Sequence, residues 1–181
     1  MVDLGTGNGR FVLHAARRDP DALVIGIDAD AASMRDASHR AARQIAKGGS
    51  PNAIFVVSAV ESLPDELASV ADDVRVTLPW GSLLRGLLGA DEAALDGVAR
   101  VAKPGAEIRA LISVTDRDVR VGVTPGSASM SLRHVWERSG LRLLESRPAT
   151  SAEIADANSS WAKRLRAGVD RPVTLFRLIR V

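Results

Sequence analysis

Short apolar runs recur along the chain at strand length, over residues 1–4, 22–27, 53–58, 73–78, 106–114, 141–147 and 173–181. Between most of them, over residues 9–18, 31–46, 63–70, 91–102, 127–139 and 160–167, apolar positions fall three or four apart, the spacing of one stripe on a helix. Strands alternating with helices build βαβ units around a parallel sheet with helices on both faces. Only one short helix separates the last two strands, which is how an antiparallel strand enters an otherwise parallel sheet. The pattern therefore predicts an α/β fold: a doubly wound, mostly parallel seven-stranded sheet with an antiparallel last strand. Its first strand is anomalous, because only Met1 and Val2 precede Asp3 and a glycine-rich turn, whereas such strands usually have about 5–6 residues.

Composition narrows the class. The chain has 181 residues, 46% hydrophobic and 25% charged, as in one ordinary globular domain, expected here over residues 1–181. Turn-forming clusters at 47–52 and 121–129 do not divide it. It contains no run of about 18 apolar residues and opens without a signal-peptide pattern, so a cytoplasmic protein is expected. With no cysteine, it has no disulfide framework, thiolate nucleophile or Cys-based metal site. His14, His39 and His134 are scattered without metal-ligand spacing. The net charge is only +2, with 24 basic residues, so a nucleic-acid footprint must be local. No apolar interface stripe stands out, and a monomer is expected.

Candidate chemistry begins at Asp3-Leu4-Gly5-Thr6-Gly7-Asn8-Gly9, where glycines at alternate positions follow a strand and open a helix. Such a backbone turns tightly and lies close against a ligand. The dinucleotide fingerprint would need its third glycine at position 10, where this chain has Arg10. Asp3 would repel a pyrophosphate but attract the ammonium of a methionine moiety, which favours S-adenosylmethionine (SAM). Asp28 ends the second strand, where a carboxylate accepts hydrogen bonds from ribose hydroxyls. After the third strand, Ala59 and Val60 offer a surface for an adenine ring, and Glu61 is either a contact or a helix cap. The plainer alternative makes Asp3 a buried turn carboxylate and Asp28 and Asp30 helix caps.

Only six aromatic residues occur, three Trp and three Phe. Trp80 follows the fourth strand in Leu78-Pro79-Trp80-Gly81, at the end of the sheet where ligands bind. Trp161 lies in Ser159-Ser160-Trp161-Ala162-Lys163-Arg164, a polar stretch with basic residues behind it, read as a second loop tryptophan. An aromatic plate beside a cationic edge holds unstacked nucleotides. A tryptophan is also commonly a core or lid residue, and Trp136, on an amphipathic helix, is assigned to the core.

The segments DLGTGNG, IDAD, KGGSPN, ESLP, LPWGSLLRG and SSWAKRLR resemble, over nearly the whole chain, the Kam-type aminoglycoside-resistance ribosomal RNA methyltransferases, class I SAM-dependent enzymes with a Rossmann-like fold. The resemblance implies methylation of N1 of adenine 1408 in the decoding site of 16S rRNA in the 30S subunit. It places Trp80 and Trp161 on either side of the flipped adenine. It matches Asp3, Gly5, Gly7, Asp28, Ala59 and Glu61 to SAM-binding positions, with Thr6 and Val60 between them, and Ser159, Arg164 and Arg171 to the target side. Lys163, Arg164, Arg166 and Arg171 would then contact phosphates. The family's N-terminal β-hairpin is expected to be absent, and the linker 113–129 is dissimilar. Adenine N1 carries its own lone pair, so alignment and desolvation suffice without a general base. The Leu78 and Pro79 carbonyls are placed to accept from the adenine amine. Two other readings stay open: a small-molecule methyltransferase, and a SAM-binding relative without activity.

Overall fold

A computed structural model of the chain describes residues 1–114 and 132–181. Seven strands form one sheet: β1 (Val2–Leu4), β2 (Val24–Asp28), β3 (Ala53–Val57), β4 (Ala71–Thr77), β5 (Ala102–Ile112), β6 (Leu141–Pro148) and β7 (Thr174–Arg180). Their order is β3-β2-β1-β4-β5-β7-β6. The first five are parallel, and β7 runs antiparallel to both neighbours. The expected antiparallel last strand is present, inserted between β5 and β6 rather than closing the edge.

The two faces are covered differently. Helices α1 (Arg10–Arg18) and α2 (Ala31–Ala41) pack Val12, Leu13 and Ala37 against Val24, Ala53 and Phe55. On the other face, α3 (Gly81–Leu87), α4 (Glu92–Val101) and α5 (Arg133–Arg138) bury Leu84, Leu87, Leu95, Val98 and Trp136 over Val2, Val74, Ile108 and Phe176. Trp136 is a core residue as expected. Its ring meets Phe176 edge-on with centroids 5.4 Å apart, and its indole N–H donates to the Leu87 carbonyl at 3.0 Å. Leu87 ends α3, so this bond satisfies a carbonyl that the helix leaves without a partner. Trp136→Phe is expected to lower the unfolding free energy by about 1–2 kcal/mol; an unchanged denaturant midpoint would show that the bond contributes nothing.

On the first face the register sets polar residues side by side, Asp3 next to Arg75, Arg75 next to Arg109 and Arg109 next to Arg177. Three neighbouring guanidinium groups are tolerated because carboxylates neutralise them. Asp73 chelates Arg75, Glu107 binds both Arg109 and Arg177, and Glu145 also accepts from Arg177. Hydrogen bonds from Arg177 hold the Glu107 carboxyl down at about 2.

Several predicted boundaries change. No α-helix forms over residues 63–70: 3₁₀ turns occupy Val60–Ser62 and Asp65–Leu67. Pro64 favours extended backbone at Leu63, while the Ser69 and Val70 amides bond to the Arg100 and Val101 carbonyls, which ties this stretch to the end of α4 instead. The second helix ends at Ala41, followed by a 3₁₀ turn at Ile45–Lys47. Strand β5 starts at Ala102, where the helix was expected to end. Of the helix expected over 127–139, α5 forms between its caps Leu132 and Ser139; residues 127–131, the 121–129 turn cluster and nearly all of the 113–129 linker lie outside the described residues. Two helices, α3 and α6 (Ser151–Asp156), were not expected.

Candidate functional site

The glycine loop is shaped by contacts that admit no side chain. A Cβ on Gly9 would stand 2.5 Å from the Phe55 ring and 2.7 Å from the Ala37 methyl, at a φ of +66°. The start of α1 therefore lies directly on α2 and β3. Gly7, at φ +55°, faces open space instead. The two glycines serve opposite ends of one turn, Gly9 for packing and Gly7 for keeping the ligand side clear.

That open side is a cleft of about 460 Å3 at the carboxyl ends of β1, β2 and β4. Asp3, Gly5, Thr6, Gly7, Asp28, Ala59, Val60 and Glu61 line it together with Pro79, Trp80, Ser159 and Trp161. Every residue expected at the cofactor or at the target base is therefore on one surface, although the chain brings them from five separate segments. Asn8, Phe11, Leu78 and Ser160 also line it, and the sequence reading assigned none of these side chains to the site.

Acidic groups form the floor. Asp3 is only 3% exposed, and burial pushes its carboxyl up to about 7, against a hydrogen bond from Thr6 and the pull of Arg75. Asp28 is braced by backbone: one oxygen accepts from the Gly7 amide at 2.7 Å and the other from the Asp30 amide at 2.9 Å. A carboxylate has about four acceptor positions, so Asp28 orders the loop and keeps acceptor capacity on the cleft side. Asp30 is the N-cap of α2 as the plainer reading had it, accepting from the Ala32 amide at 2.9 Å. The buried Thr6 hydroxyl stands beside the Asp3 carboxyl and favours its ionised form. A clear glycine and a buried carboxylate beside it fit a nucleoside carrying a cationic amino-acid group. Glu61 sits exposed on the 3₁₀ turn at the rim.

The two tryptophans face this floor. Leu78 adopts a left-handed backbone, φ +47°, a conformation costing on the order of 1 kcal/mol in a non-glycine residue. Its amide still bonds the Leu111 carbonyl at 2.7 Å. The turn delivers Pro79 and Trp80 into the cleft wall, with Trp80 81% exposed in a chain poor in aromatics. Trp161 is the second residue of helix α7 (Ser160–Arg164), the helix expected over 160–167 and not the loop position also read for it, because Ser159 caps that helix by accepting from the Ala162 amide at 3.2 Å. The Arg164 guanidinium lies 5.5 Å from the Trp161 ring centroid, within cation–π range. Leu78 packs in one small cluster with Ala157 and Ala162, which fixes the two tryptophan segments relative to each other.

The expected phosphate contacts lie beyond the cleft. Lys163 and Arg164 are exposed on α7. Arg166 is tied to Asp170 at 3.1 Å, and Arg171 is half-buried beside it, its backbone bridging to Ala167. Among the described residues no group of His, Cys, Asp or Glu is arranged to hold a metal ion, and no helix is long and apolar enough to cross a membrane.

A family model described as NpmA, 16S rRNA (adenine(1408)-N(1))-methyltransferase, matches residues 1–179. Curated proteins with that same activity name are similar: one from Streptoalloteichus tenebrarius is 35% identical over 178 residues, covering 94% of this chain and 82% of its own. One from Escherichia coli is 32% identical over 186 residues, covering 98% and 84%. Among solved structures, the aminoglycoside resistance methyltransferase NpmB1 superposes with a TM-score of 0.81 at 39% identity, covering 99% of this chain and 86% of its own. A mutant 16S rRNA (adenine(1408)-N(1))-methyltransferase from Catenulisporales acidiphilia, solved with cosubstrate SAM, gives 0.87 at 33% identity, covering 99% and 84%.

Proposed function

The chain belongs to the family of 16S rRNA (adenine(1408)-N(1))-methyltransferases, and from that premise we propose that it methylates N1 of adenine 1408 of 16S rRNA within the 30S subunit, using SAM, and so confers aminoglycoside resistance. The observation that carries this reading is the single cleft in which an acidic, glycine-turned floor faces two exposed tryptophans.

SAM, when bound, supplies an electrophilic sulfonium methyl group. Asp3 receives the ammonium of the methionine moiety, Asp28 the ribose hydroxyls, and Ala59 and Val60 the cofactor's adenine ring, with Gly5, Thr6, Gly7 and Glu61 completing the binding surface. Trp80 and Trp161 stack on the extruded target base. Extrusion costs a few kcal/mol, and stacking returns about 1–3 kcal/mol per base on an aromatic side chain. The carbonyls of Leu78 and Pro79 accept from the exocyclic amine and turn N1 towards the methyl group. Ser159 holds Trp161 in place by capping its helix. The N1 lone pair attacks directly, so no side chain removes a proton. Lys163, Arg164, Arg166 and Arg171 face the phosphates around the target. The enzyme acts in the cytoplasm as a monomeric, single-domain protein.

Transfer of labelled methyl from SAM to purified 30S subunits, followed by reverse transcription, tests this reading. A methyl on N1 blocks Watson–Crick pairing, so the expected result is a polymerase stop at the decoding-site adenine. Labelling at another nucleotide, or of a small metabolite in the absence of ribosomes, would overturn it.

A further inference from the structure

The cofactor loop and the Trp161 helix are far apart in sequence yet joined by one side chain. Asn8 Nδ2 donates to Ser160 Oγ at 2.9 Å, while Asn8 Oδ1 accepts from the Arg10 amide at the start of α1. Reversing the carboxamide would set its NH2 against the Arg10 N–H, so the hydrogen bonds themselves select this orientation. Asn8 stands between Gly7 and Gly9, both left-handed, and the Gly7 amide is held by Asp28. The backbone that receives the cofactor thus also sets where the Asn8 carboxamide points. Ser160 is the first residue of α7 and Trp161 the second. At the other end of α1, Arg18 binds Asp156 at 2.7 Å, so the segment from α6 to α7 is tied to α1 at both ends. Both the Arg18–Asp156 pair and the Asn8–Ser160 bond are solvent-exposed and contribute little to overall stability for that reason, but the Asn8 bond is the tie nearest the reacting groups.

We propose that the Asn8–Ser160 hydrogen bond is a latch that couples the ordered state of the cofactor loop to the placement of Trp161, making Asn8 and Ser160 positioning residues for methyl transfer. This rests on the reading of the cleft given above. Cofactor binding orders the loop, the loop fixes Asn8, and Asn8 holds the first turn of α7 so that Trp161 is set before the target base arrives. The bond acts on the stacking platform and not on the cofactor contacts themselves.

Hydrogen exchange of the whole chain with and without SAM, measured beside methylation kinetics, tests the latch. In the wild type, SAM is expected to slow exchange across residues 159–165. In Ser160→Ala, SAM should bind with affinity within about twofold of wild type, yet the protection should disappear and kcat on rRNA should fall about fivefold, the effect of one hydrogen bond, with the KM for SAM unchanged. Ser160→Thr keeps the hydroxyl and should retain both protection and rate. Equal SAM-dependent protection in wild type and Ser160→Ala would overturn the latch while leaving the rRNA reading intact. Protection that depends on Ser160 in a protein that transfers no methyl to rRNA would uphold the latch and overturn that reading instead.

Discussion

Trp80→Ala and Trp161→Ala are each expected to lower methylation of 30S subunits by about tenfold to a hundredfold, the kinetic equivalent of losing about 1–3 kcal/mol of base stacking. SAM affinity should stay within about twofold in both, since the acidic floor and glycine loop lie across the cleft from the indoles. The expectation rests on exposure: Trp80 is 81% and Trp161 43% accessible, whereas Trp136 is 1% accessible and holds the core together. An indole left in water at a cleft wall contributes little to folding and retains its area for a ligand. The double substitution should fall short of the product of the two single effects, because both rings stack on one base and its extrusion fails once either platform is gone. Single-turnover methylation and SAM titration on the same preparations decide the matter. Loss of SAM binding in Trp161→Ala would place that ring against the cofactor and remove it from the target side.

The parts of this arrangement that were legible in the chain are those with a local cause. Three alternate glycines after a strand, Asp28 at the end of the next one, and the alternation of apolar runs follow from short-range periodicity, and the structure places them as read. Helix α3 was not expected although Leu83, Leu84 and Leu87 have helical spacing: it is only seven residues long and contains Gly81 and Gly86, which weaken the local signal. Helix α6 carried a signal in plain view: Thr150 and Glu153 form a capping box at the right interval. The helix expected over 63–70 had Leu63, Leu67 and Val70 in helical register, but Pro64 and backbone pairing to the end of α4 prevailed. What no local pattern carries is tertiary contact. The Asn8–Ser160 bond spans 152 positions, and the cluster of Leu78, Ala157 and Ala162 exists only once β4, α6 and α7 have met. The charge state of Asp3 belongs to the same class, because the desolvation that sets it comes from the surrounding fold.

That charge state makes SAM binding depend on pH. Asp3 is fully buried beside Asp28, which opposes its ionisation, while a hydrogen bond from Thr6 and the charge of Arg75 favour it; burial prevails and pushes its carboxyl up to about 7. Only the ionised form attracts an ammonium group, so affinity should rise with pH through that region. For one such group, affinity at pH 6 is about fivefold weaker than at pH 7, and at pH 8 about twofold tighter. Asp3→Asn, which keeps the shape and removes the charge, should bind SAM at least about tenfold more weakly at pH 8 and with little pH dependence. Stability of the ligand-free protein supplies an independent check of sign. The folded carboxyl holds its proton up to about 7, whereas in the unfolded chain it releases it near 4. Between those values the folded state binds more protons, so this group makes the protein progressively less stable as pH rises from about 4 to about 7, with the full loss present above that range. Asp3→Asn removes that slope. A SAM affinity that is flat from pH 6 to pH 8 in the wild type, or that falls equally in the wild type and Asp3→Asn, would mean that the Asp3 carboxylate does not face the ammonium and that the cation is held elsewhere on the floor.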